Sequence, residues 1–155
     1  MFGKQCGESA AGHALVASIL RLELCQRLKQ DAATSNIPAI MLTARAWGGT
    51  YVWYSHRPFA IKAGLSETFI TALAAGVRPA DMAADEAVVY DFATELLATR
   101  KVSDPTYKAF VERFGERAVV DVVALMGHYH TTSMLFAVER YPLPAGAKEE
   151  IARPM

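Results

Sequence analysis

His56 is the residue in this chain best suited to moving a proton. An imidazole titrates near neutral pH, and placing a proton on the right carbon is what loss of carbon dioxide requires. The competing reading is structural: a ring that holds the turn at Arg57-Pro58, or one that caps a helix within the aromatic cluster Trp47, Tyr51, Trp53 and Tyr54. Arg45 lies eleven residues earlier, or about three helical turns, so both side chains can face one side of a single helix. Its guanidinium can fork onto the two oxygens of a carboxylate ligand, or pair with Glu95 or Asp121 inside a bundle.

Around these two residues the sequence offers walls. Trp47 and Tyr51 can line a pocket for a small cyclic acid or lactone, or simply pack as core. Trp47, Tyr51 and Tyr54 fall on one helical face, whereas Trp53 points elsewhere, toward a second subunit. His128 shares one side of the last helix with Thr131 and Thr132, where it either adds polarity to the site or sits buried and satisfied. His128 and His130 do not make a metal site, since residues two apart on a helix point about 200° from each other. Cys6 and Cys25 are the only cysteines and stand nineteen residues apart, which is neither a redox CxxC nor a zinc pattern. Cys25, in Leu20-Arg21-Leu22-Glu23-Leu24-Cys25, reads as a small buried apolar residue.

Composition excludes several classes of partner. Sixteen basic residues balance sixteen acidic ones, so no positive field exists to attract nucleic acid or anionic membrane. No apolar run reaches the roughly 20 residues needed to span a bilayer, and residues 1–6 carry one positive charge with no apolar stretch close behind. The expected location is cytoplasmic. A hydrophobic fraction of 52% leaves apolar surface to spare for a second copy of the chain.

The elements that must position these residues are helices. A period of three to four apolar residues predicts a first helix over 10–29, with Leu15, Ile19 and Leu22 on one face. Ser35-Asn36-Ile37-Pro38 opens a second, long helix over 38–63. Gly48-Gly49 weaken that helix by about 1 kcal/mol each relative to alanine, and a close approach by another backbone would account for them. Gly64 stops it, Ser66-Glu67 opens a short helix ending at Gly76, and 77–82 is a proline-containing loop. Further helices follow over 83–99, with Val88, Phe92, Leu96 and Leu97 on one face, then over 104–114, and finally over 116–140 after the break at Gly115. Short turns and the lack of an alternating strand pattern predict one all-α domain, a compact bundle of about six helices. It divides into an N-terminal helical segment over 1–36, a main body over 37–144 and a loose tail over 145–155.

The order Leu42-Thr43-Ala44-Arg45-Ala46-Trp47, Tyr51-Val52-Trp53-Tyr54-Ser55-His56-Arg57-Pro58-Phe59-Ala60 and Ala63-Gly64-Leu65-Ser66 resembles the central motif of the carboxymuconolactone decarboxylase family. The likeness continues through Asp85-Glu86, Phe92, Glu95-Leu96-Leu97, Phe114-Gly115-Glu116-Arg117, Asp121-Val122-Val123-Ala124-Leu125 and Tyr141-Pro142-Leu143-Pro144, covering about 39–144. It implies an all-helical fold like that of alkyl hydroperoxide reductase D-type proteins. It also implies assembly as dimers, trimers or larger rings, with the site between helices near a subunit boundary.

In the thiol-bearing branch a CxxC precedes a histidine, and the resemblance places those thiols at Gly49 and Val52. Neither residue can form a thiolate or a disulfide, so thiol peroxidase chemistry is disfavoured. Relatives without the cysteines carry a glutamate at the second thiol position and another near the start of the long helix; here Val52 and Ile37 stand there. Three functions remain in play. One is a cofactor-independent lyase acting on a small carboxylated lactone or oxo acid, with His56 transferring the proton and Arg45 steering the carboxylate. Another is a catalytically silent helical oligomer that binds a small ligand or partner. The weakest is an antioxidant using Cys6 or Cys25 from another helix.

Overall fold

A computed structural model describes residues 36–151, and every regular element among them is a helix. We number them α1 (Ile37–Ala46), α2 (Thr50–Lys62), α3 (Glu67–Ala75), α4 (Ala84–Thr99), α5 (Asp104–Phe114) and α6 (Glu116–Val138). The expected helix over 10–29, and with it Cys6 and Cys25, lies outside the described residues. No helix among the described residues is long and apolar enough to cross a membrane.

α1 is the centre of the bundle. Pro38 through Ala44 are all buried, and a helix apolar on every side needs neighbours on every side. It packs on α2, α3, α4 and α6. Thr43 is tolerated there because its hydroxyl donates to the Ala39 carbonyl at 2.8 Å. A second layer of aromatic contacts joins α4 to α5, where Phe92 and Phe110 lie 4.5 Å apart between ring centroids.

The single helix expected over 38–63 is in fact two. α1 stops at Ala46, Gly48 takes the left-handed conformation at φ +59°, and the Gly49 N–H turns back to the Ala44 carbonyl at 2.7 Å. Gly49 is there for a close approach, but the partner is a side chain. A Cβ on Gly49 would sit 2.5 Å from Ser133 Oγ, on the buried face of α6. The local cost of two helical glycines made a break cheap, and the contact with α6 decided it.

The remaining boundaries follow the expected capping. Ser66 Oγ accepts from the Phe69 N–H at 3.0 Å. Gly76 at φ +72° closes α3, with the Val77 N–H reaching back to the Ala72 carbonyl. The Ala83 N–H donates to Glu86 at 2.9 Å, the reciprocal half of a capping box whose first residue has no hydroxyl.

The tail departs from expectation. Its described part, residues 145–151, is irregular but tied to the body: Ile151 is 2% exposed, and the Trp53 indole donates to Glu150 at 2.8 Å. Arg57 Nε lies 3.1 Å from the same carboxylate, in ion-pair contact without the alignment of a hydrogen bond. Trp53 is therefore buried within its own chain, at 1% exposure, and does not face a second subunit.

Candidate functional site

The predicted site residues separate into two places. His56 comes from the middle of α2 and Arg45 from the last turn of α1, and the break at Gly48-Gly49 removes the shared helical face that was to align them.

His56 is buried against α6. Its Nδ1 is 2.8 Å from the Val52 carbonyl, which can only accept, so Nδ1 carries the proton. Ser55 Oγ lies 3.0 Å from the same nitrogen. With the ring neutral, Nε2 is the lone-pair nitrogen and accepts from the Tyr129 hydroxyl at 2.9 Å. The two rings stand edge to face, 4.8 Å between centroids. Both nitrogens of the neutral imidazole are thus engaged by the fold itself.

The other predicted residues surround this core without entering a common cavity. Trp47, at the break, donates its indole N–H to His130 Nδ1 at 2.9 Å on the protein's surface. Tyr51 packs edge-on against Phe136 and Tyr141, 5.1 and 4.7 Å between centroids. Burial, followed by the neighbouring Tyr141, holds the Tyr51 phenol above its ordinary titration range. His128 is half-buried beside Tyr129, 5.0 Å between ring centroids. Gly49 and Val52, the two thiol positions of the resemblance, are respectively the N-cap of α2, pressed on Ser133, and a buried core residue.

Arg45 lines a cavity. The space measures about 220 Å³ and lies between the C-terminal end of α1, the end of α3 and the outer half of α4. Leu42, Leu73, Val77 and Leu97 give it apolar walls, and Arg45, Tyr90 and Thr94 supply its polarity. Arg45 Nε donates to the Ala74 carbonyl at 3.2 Å, satisfying one of the carbonyls that α3 leaves open in its last turn. Neither of the carboxylates expected to pair with Arg45 occupies the rest of the fork: Glu95 instead accepts from Ser103 at 2.8 Å, and Asp121 lies 3.9 Å from Arg117. The two terminal nitrogens of Arg45 therefore have no carboxylate among the described residues.

No family model matches this chain, and no curated protein or solved structure does.

Gly76 completes the cavity in a way the sequence reading missed. It was legible as a helix stop, but a Cβ there would run into the Arg45 guanidinium, so the same glycine that ends α3 also leaves room for the cation. Tyr129, Thr94 and Glu150 were not singled out from the sequence either. Nothing in their local patterns separates them from other residues of an apolar helix or an irregular tail.

Proposed function

We propose that the chain is a helical-bundle binding protein for a small carboxylic acid, received in the Arg45 cavity. The observation that carries this reading is a guanidinium fixed through Nε, with its terminal nitrogens uncommitted, at the edge of a mainly apolar space. A guanidinium held in this way presents the planar fork that a carboxylate matches. At about 30 Å³ for each water-sized group the cavity holds about seven, so the ligand is a short acid rather than a large cofactor. The likeness to the decarboxylase family points toward the same ligand class, small carboxylated molecules.

Calorimetric titration with short carboxylic acids and their uncharged amides tests the reading. The acids should bind and the amides should not, and Arg45→Gln should weaken acid binding about ten- to hundredfold, the value of hydrogen bonds to a charged group. Arg45→Lys should recover only part, because it restores charge without the fork. Equal binding of acid and amide, or no binding of any acid, would rule the proposal out.

A lyase acting by proton transfer at His56 is the second reading, favoured by the 2.9 Å contact that sets the exchangeable proton of the Tyr129 hydroxyl against Nε2 of the ring. Release of carbon dioxide from small lactones or oxo acids, lost in His56→Ala, would support it. Self-association draws support from the apolar side chains Val120, Val123, Met134 and Val138, which are exposed at helical spacing along α6. Sedimentation of the wild type against Val123→Glu distinguishes a dimer or larger ring from a monomer.

A further inference from the structure

Thr94 differs from four other helical threonines. Thr43, Thr99, Thr131 and Thr132 each donate their hydroxyl to the carbonyl four residues back, at 2.8 to 3.0 Å. That local bond is the ordinary fate of a helical threonine hydroxyl. Thr94 does not make it. Its Oγ1 is buried and has no hydrogen-bond partner among the described residues, although the residue sits mid-helix in α4 with a carbonyl available at Tyr90. Thr94 also lines the Arg45 cavity, on the wall supplied by α4.

A buried hydroxyl left without a partner is costly, and it is kept where something else completes it. We propose that Thr94 is the selectivity residue of the cavity, and that the preferred ligand is a short hydroxy or oxo acid whose second oxygen bonds the Thr94 hydroxyl. This rests on the reading of the cavity as a carboxylate site. Arg45 supplies the charge that any short acid satisfies, whereas Thr94 distinguishes acids that carry a further oxygen from those that do not. In the observed rotamer Oγ1 is shielded from the cavity, so the ligand contact requires a rotation about χ1, which exchanges the hydroxyl and methyl without moving the backbone. The hydroxyl can donate to an oxo group and can both donate to and accept from an alcohol. Leu97 and Leu42, on the neighbouring walls, offer the second oxygen no partner, and Tyr90 carries the other hydroxyl of the lining.

The test uses matched pairs on the full chain: lactate against propionate, and 3-hydroxybutyrate against butyrate, titrated into wild type, Thr94→Val and Arg45→Gln. The wild type should prefer the oxygenated member of at least one pair by about ten- to hundredfold, the discrimination expected of a buried hydrogen-bonding group. Thr94→Val keeps the shape and removes the hydroxyl, so it should fold at least as well and bring the two affinities of the pair together. Arg45→Gln should weaken both members alike. Equal affinities in the wild type, or a preference that survives in Thr94→Val, overturn the role of Thr94 while leaving the carboxylate site standing. If none of the four acids binds the wild type, both the selectivity and the site fall.

Discussion

Replacing Gly49 with alanine tests the packing that splits the long helix. The backbone there, at φ −74° and ψ 69°, is open to any L-residue, so alanine carries no conformational penalty. It should even gain about 0.4–1 kcal/mol by restricting the unfolded chain. Against this, the new Cβ would stand 2.5 Å from Ser133 Oγ and 3.0 Å from Ser133 Cβ, and Ser133 is 1% exposed with nowhere to swing. Overpacking of that kind costs about 1–3 kcal/mol. The net loss should be about 1–2 kcal/mol, a fall of about 2–8 °C in Tm for a chain of this size. Urea unfolding followed by circular dichroism measures it, in wild type and in a Ser133→Gly background. Both clashing atoms are gone in that background, so the cost of Gly49→Ala should drop below about 0.5 kcal/mol or change sign. The same loss in both backgrounds would refute the argument. Gly49→Cys meets the same obstruction, so a thiol cannot simply be restored at the first thiol position of the family likeness.

Three further outcomes are expected. Tyr129→Phe removes the hydroxyl bonded to His56 Nε2 and should cost about 0.5–1.5 kcal/mol in urea unfolding; an unchanged midpoint would mean that the bond contributes nothing to holding the ring. Ile151→Ala should destabilise by about 2–5 kcal/mol, since Ile151 is fully packed, and should let acrylamide quench Trp53 more readily; loss of neither would show that the tail does not seal the core. The hydroxyl of Thr106 and the N–H of Ser103 hold the Glu95 carboxyl below its ordinary titration range. This stabilisation is fully present above the unfolded value and is lost as pH falls through the lower folded one, so proton exchange in the α4–α5 turn should quicken on acidification and Glu95→Gln should abolish that dependence. An identical pH response in the variant would overturn the assignment.

Most helix boundaries could be read locally because the groups that set them are local. Ser66 caps α3 with its own hydroxyl, Gly64, Gly76 and Gly115 all adopt positive φ, and the apolar period of α4 buries Phe92 as expected. Two readings failed because their causes lie far along the chain. Gly48-Gly49 could weaken a helix or end it, and the choice belonged to Ser133 on α6. Residues 145–151 carry no periodic signal, yet Glu150 is held by Trp53 and Arg57 nearly a hundred positions earlier, and Ile151 beside it is buried.

The candidate site divides the same way. The sequence supplied His56 and Arg45 as groups able to carry a proton or grip a carboxylate, because those capacities are properties of the side chains themselves. It placed them on one helix, and only tertiary packing separated them, engaging both nitrogens of His56 and leaving Arg45 beside a cavity. Thr94 was invisible for the same reason. Hydrogen-bonding chemistry is written in a residue's type, but whether a hydroxyl is satisfied depends on neighbours brought together by the fold, and in α4 the fold left it bare.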